Sequence, residues 1–158
     1  MGVETRVVHD VVEVDGEPEE ETFDWYAQDV DGNVWYFGED TRAVGGPTVD
    51  TSGSFTAGVD GALPGIIMPG NPVVGDQYRQ EYYRGEAEDT GKVLSLTGTE
   101  SAPYGGPRSD LLVTEDVNPL DPDAAIENKY FARGVGNVVV VHVTGPAERI
   151  ELVAVERF

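Results

Sequence analysis

One stretch constrains this chain more than any other. Residues 23–40 read Phe23-Asp24-Trp25-Tyr26-Ala27-Gln28-Asp29-Val30-Asp31-Gly32-Asn33-Val34-Trp35-Tyr36-Phe37-Gly38-Glu39-Asp40, two aromatic-rich runs around an Asp-Gly turn. The stretch holds both tryptophans, two of the seven tyrosines and two of the five phenylalanines. Apolar runs meeting at Asp-Gly predict a β-hairpin. With Asp31-Gly32 as a two-residue loop, Gln28 would pair with Trp35 and each face would mix polar and aromatic groups. With Val30-Asp31-Gly32 as the loop and Gly32 left-handed in a G1 bulge, Asp29 pairs with Asn33, Ala27 with Trp35 and Trp25 with Phe37. That register gathers Phe23, Trp25, Ala27, Trp35 and Phe37 on one face, and Asp24, Tyr26, Gln28, Val34 and Tyr36 on the other. A one-residue slip exchanges core and solvent faces, so the segregating register is the expected one.

Breakers and β-branched runs recur along the rest of the chain. Residues 3–14 read as a strand, turned by Gly16-Glu17-Pro18. From Thr41 to Val73 the chain is punctuated by Gly45-Gly46-Pro47, Gly53, Gly58, Asp60-Gly61, Pro64-Gly65 and Pro69-Gly70-Asn71-Pro72, with short strands expected near residues 49–57 and 66–68. Residues 77–88 read as one long strand with Tyr78, Gln80 and Tyr82 on one face. Further strands are expected at 93–96, 110–114, 128–132, 137–143 and 149–155, with one helical turn at Ala124-Ala125-Ile126. Nine or ten mostly antiparallel strands in a meander and no long helix define an all-β chain, expected as a single domain over residues 1–158: a barrel, a sandwich or a strongly curved sheet.

Thirty acidic against ten basic residues leave a net charge of −20. Nucleic acid and anionic membranes are therefore not expected partners, since both need Lys and Arg to neutralise phosphates. The acidity suits a soluble, strongly hydrated surface such as a salty habitat favours, with cation binding as the alternative. There is no cysteine, hence no disulfide framework. No apolar run is long enough to span a bilayer. Residues 1–6 have neither the basic nor the apolar region of a signal peptide, and Arg6 breaks the myristoylation pattern.

Four strings in order resemble a group of bacterial secreted or lipoprotein-type β-proteins of unassigned function. They are Asp24-Trp25-Tyr26-Ala27-Gln28-Asp29 with Gly32-Asn33-Val34-Trp35-Tyr36-Phe37-Gly38-Glu39-Asp40; Gly58-Val59-Asp60-Gly61-Ala62 with Pro64-Gly65-Ile66; Tyr78-Arg79-Gln80-Glu81-Tyr82-Tyr83 with Gly85-Glu86-Ala87-Glu88-Asp89; and Tyr130-Phe131 with Gly134-Val135-Gly136. The resemblance spans nearly the whole chain. It implies a single β domain, secreted or associated with the cell envelope, and carries over no catalytic residue. The chain departs from the group's pattern at Asn128, where a His is expected, and at Arg133, where a Pro is expected.

Candidate chemistry is sparse. Asp29, Asp31 and Asn33 stand at positions 1, 3 and 5 of an EF-hand-like loop with Asp40 at position 12, but Val34 occupies the required glycine position. An ordinary Asp-Gly turn is expected there, with a calcium site at the tip as the alternative. His9 and His142 each sit in a valine-rich strand without a local metal-ligand spacing. Tyr26, Gln28 and Tyr36 in the hairpin, and Tyr78, Gln80 and Tyr82 further on, alternate aromatic with polar groups. Facing one cavity with Met68 at its mouth, they would bind a small apolar or aromatic molecule. The competing reading is surface tyrosine ladders. The expected function is an extracytoplasmic small-molecule-binding domain. The alternatives are an enzyme using Asp24 or Glu81 as general base beside tyrosine donors, and a structural, interaction or cation-binding module of the envelope.

Overall fold

The computed structural model describes residues 1–44 and 48–157; the breaker Gly45-Gly46-Pro47 lies outside the described residues. Among the described residues there are twelve strands and no helix. All the strand pairings given by register are antiparallel, and the chain is all-β as expected. The strands beyond the expected nine or ten are short ones that carry too few residues to show a period-2 pattern. Residues 121–126 form a turn closed by Ala124 N–H to the Asp121 carbonyl at 3.1 Å, in place of the expected helical turn.

The chain forms two compact units, Met1–Asn71 with Arg79–Asp89, and Pro72–Tyr78 with the chain from Thr90 onward. The first holds β1 (Arg6–Val14), β2 (Glu17–Gln28), β3 (Val34–Ala43), β4 (Phe55–Thr56), β5 (Leu63–Met68) and β7 (Glu81–Tyr82), in the order β1-β2-β3-β5-β7 with β4 also on β3. The second sheet runs β12 (Arg149–Glu151), β11 (Gly136–His142), β10 (Glu127–Ala132), β9 (Gly106–Val117), β8 (Thr90–Ala102) and β6 (Gln77–Arg79). Among the described residues neither sheet closes on itself, so the barrel among the expected architectures is not formed there.

The hairpin adopts the three-residue loop. Asp29 N–H reaches the Asn33 carbonyl at 3.0 Å, Gly32 N–H reaches the Asp29 carbonyl at 3.1 Å, and Gly32 has φ 89°. Ala27 pairs with Trp35 and Tyr26 with Tyr36, after which the register shifts and Asp24 pairs with Glu39. The expected Trp25–Phe37 pair is therefore replaced by a bulge: two steps along β2 oppose three along β3. Gly38, at φ 125°, takes up the extra residue, a conformation that costs a side-chain-bearing residue dearly.

Residues 77–88 are not one strand. The chain breaks at Gln80, whose backbone N–H turns to the Asp89 carbonyl at 2.8 Å. Tyr78 consequently belongs to the second unit, and Gln80 and Tyr82 to the first. Glycine at 65 permits the break on the first unit's side, because a Cβ there would lie 2.2 Å from the Gln80 carbonyl oxygen.

Each unit has its own apolar cluster. Tyr36, Phe55, Ala62 and Ala87 form the first, with Tyr26, Ile67 and Tyr83 packed on it. Ala102, Leu111, Ala132, Val138 and Val139 form the second, with Tyr130, Val141 and Leu152 against it.

Candidate functional site

The β2–β3 bulge sets the chemistry of the first unit. In a regular strand, residues 36 and 39 would point to opposite faces; the extra residue turns both toward Asp24. The Tyr36 hydroxyl lies 2.5 Å from Asp24 Oδ1 and 2.6 Å from Glu39 Oε2. A phenol has one hydrogen to donate, so both short contacts are satisfied together only with one further proton on a carboxyl group. Tyr36 is 4% exposed and Asp24 8%. Burial first, and then the neighbouring Tyr26, Asp24 and Glu39, raise the Tyr36 pKa far above the ordinary phenol range. Tyr26 stacks on Tyr36 with ring centroids 5.0 Å apart, and its pKa is also pushed well up, chiefly by burial and then by Asp24. Phe55 meets Tyr36 edge-on at 5.7 Å. The tyrosine face thus packs into the unit's core, where Tyr36 and Asp24 are buried and Glu39 closes the phenol–carboxylate trio from a half-buried position. Glu39 went unnoticed in the sequence, although a glycine inside a strand pattern, Gly38, is the signal of a bulge.

The hairpin tip is held by Asp29. Its Oδ1 accepts the backbone N–H groups of Asp31 and Asn33, both at 2.9 Å. Its Oδ2 accepts Asn33 Nδ2 at 2.9 Å and Trp35 Nε1 at 2.7 Å. Asn33 Oδ1 in turn accepts Gly70 N–H at 2.8 Å. This is an Asx-type turn cap, in which Asp29 and Asn33 spend their oxygens on N–H donors. Gln28 belongs to it too, donating to the Gly32 carbonyl at 3.1 Å, and so serves the turn and not the tyrosine face. Among the described residues no group of three or more His, Asp or Glu side chains is arranged to hold a metal ion.

The hydrogen bonds from Trp35 and Asn33 hold the Asp29 carboxyl at a pKa of about 2, below its usual value of 3.8. Because the folded pKa is depressed, this carboxylate contributes stability above pH 3.8, and that contribution is lost as the pH falls toward 2. Asp29→Asn is therefore expected to lower the thermal midpoint at neutral pH and to flatten its fall between those pH values. An unchanged acid limb in the variant would refute this role.

Of the remaining candidates, Met68 ends β5 opposite Val34, and Glu81 pairs with Pro64 in β7. Tyr82 lies under the Arg79 guanidinium, 4.7 Å from its ring centre. Gln80 is 2% exposed.

In the second unit, the Tyr78 hydroxyl is buried with no hydrogen-bond partner among the described residues, and burial followed by the Asp116 charge raises its pKa against the opposing effect of Lys129. The sheet register places Asp116, Glu127 and His142 in one row across β9, β10 and β11. Thr114 Oγ1 donates to Asp116 at 2.6 Å. Lys129 Nζ lies 3.3 Å from Asp116 and 3.5 Å from Glu127, and His142 Nε2 lies 3.2 Å from Glu127. Only His142 of this row was singled out in the sequence; same-face residues on three strands far apart in the chain leave no local spacing to read.

On the β2–β3 face opposite the tyrosines, Trp25, Phe37, Thr56 and Ala57 line a recess of about 250 Å³, together with Met1, Gly2, Val3 and Thr5. Trp25 and Phe37 are both half-buried.

Fold and site define an all-β, antiparallel protein with a largely buried phenol–carboxylate trio and an aromatic recess. No family model matches the chain, and neither a curated protein nor a solved structure matches it.

Proposed function

We propose that this protein is a non-catalytic binding domain for a small apolar or aromatic molecule, held at the Trp25–Phe37 recess. The observation that carries the reading is the placement of two partly exposed aromatic residues on the wall of one concavity. At about 250 Å³ it is a little smaller than a drug-sized pocket and suits a ligand of roughly one or two rings. The ligand site moves from the tyrosine face, which core packing fills, to the opposite face of the same hairpin. The acid–base alternative gains less support. Asp24 is engaged by Tyr36 and almost wholly buried, whereas a general base must reach its substrate's proton. The resemblance to secreted and lipoprotein-type β-proteins supports a role outside the cytoplasm.

The test is a titration with the neutral dye N-phenylnaphthylamine, which the acidic surface does not repel. Saturable one-to-one binding is expected, about tenfold weaker in Trp25→Ala, a loss of about 1.4 kcal/mol, and unchanged in Tyr78→Phe. Urea denaturation of each variant checks that the fold is retained. Absence of saturation, or equal affinity in folded Trp25→Ala, would overturn the assignment.

A further inference from the structure

The first sheet ends at β1, which among the described residues pairs only with β2. Every second residue of an edge strand directs its N–H and C=O away from its neighbour, so β1 presents a row of backbone donors and acceptors. Proteins usually blunt such an edge with proline, with lysine, with a bulge or by making it short. β1 is nine residues long and reads Arg-Val-Val-His-Asp-Val-Val-Glu-Val. It contains no proline, lysine or glycine, and its register on β2 runs unbroken from Arg6 to Val12 before it shifts between Val12 and Glu13. Its apolar side chains are open to solvent on both faces: Val7 is 55% exposed, Val8 40%, Val11 40% and Val14 48%. Edge, length and apolar decoration together describe a template for a further strand.

The charge pattern indicates what that strand should carry. Residues 10–21 hold seven carboxylates, Asp10, Glu13, Asp15, Glu17, Glu19, Glu20 and Glu21, and no Lys or Arg. A second copy of the chain would bring the same acidic ribbon and its own −20 charge against this one, and like charges across strands oppose pairing. We infer that the free edge of β1 binds an extended peptide segment of alternating apolar and basic residues by strand addition. The peptide's backbone completes the edge hydrogen bonds. On the face of Val7 and Val11 its apolar side chains cover those valines, and on the opposite face its Lys or Arg side chains reach Asp10 and Glu20. Val7 pairs with Trp25, so this surface borders the recess, but its hydrogen bonds come from the outer edge of β1 and do not depend on the recess being filled.

The experiment uses the whole chain and a capped, fluorescently labelled peptide of alternating valine and lysine, followed by anisotropy at low and at high salt. Saturable binding that weakens with salt is expected. It should fall at least about tenfold when alternate peptide nitrogens along one edge are methylated, because methylation removes the ladder donors and leaves the charges. It should fall similarly in Val8→Lys and in Val11→Lys, each on a different face of β1, while Tyr78→Phe in the second unit binds as the parent does. Denaturation midpoints of the β1 variants confirm that they fold. Equal binding of the methylated peptide on both of its edges would reduce the effect to charge attraction and overturn strand addition. No saturable binding would also overturn it. So would a sedimenting dimer dispersed by Val8→Lys, since a second copy would then be the occupant.

Discussion

Gly38→Ala is expected to destabilise the first unit by about 3 kcal/mol or more, from backbone strain of roughly 1–3 kcal/mol and steric displacement of similar size. Gly38 has φ 125°, where a β-carbon is strained before it meets anything. It then meets the Phe55 carbonyl oxygen at 2.1 Å and the Thr56 Cα at 3.1 Å. These are backbone atoms of β4, paired with β3 at this point, so they can retreat only by giving up that pairing and drawing Phe55 away from Tyr36. Both tryptophans lie on β2 and β3, so their fluorescence during urea denaturation reports on this unit directly. Gly61→Ala separates the two causes: Gly61 also has positive φ, 88°, but nothing lies within 4 Å of a Cβ there. It should show the strain alone, about 1 kcal/mol. Equal midpoints for the two variants would show that β4 does not press on the bulge.

The second large effect is expected in the other unit. Leu111 is fully buried, at 0% exposed, among Ala102, Ala132, Val138 and Val139. Leu111→Ala leaves a cavity lined by small or branched side chains that cannot swing into it. The expected loss is about 3 kcal/mol, from the range of about 2–5 kcal/mol for such truncations. Calorimetry is the suitable measurement, because this unit contains no tryptophan. Leu111→Met, close in volume, should cost less than about 1.5 kcal/mol. A midpoint for Leu111→Ala within error of the parent would show that this cluster does not hold the unit together.

Much of the architecture is decided within a few residues, and there the sequence sufficed. β-branched runs between Gly, Pro and Asn turns dictate an all-β chain. The Asp-Gly turn, with Gly32 left-handed, sets the hairpin loop and the Ala27–Trp35 and Tyr26–Tyr36 pairs. Asp29 caps that turn through contacts no more than six residues away. Such features rest on local geometry, which the order of residue types specifies. The decisive features of the candidate sites rest on contacts between segments far apart in the chain. Gly38 marks a bulge, but only its pairing with β2 and β4 shows that the bulge brings Glu39 and Tyr36 together on Asp24. The apparent period-2 strand from Gln77 is cut at Gln80 because the Asp89 carbonyl and the bare Gly65 backbone offer that segment better partners than continued extension would. Tyr26 and Tyr36 alternate with polar residues as cavity walls do, yet Phe55 and Ala62, supplied by later segments, fill the space in front of Tyr36. Local patterning therefore determined which residues share a face; what lies over that face was settled by tertiary packing, since apolar surface is buried by whichever segment the completed fold brings against it.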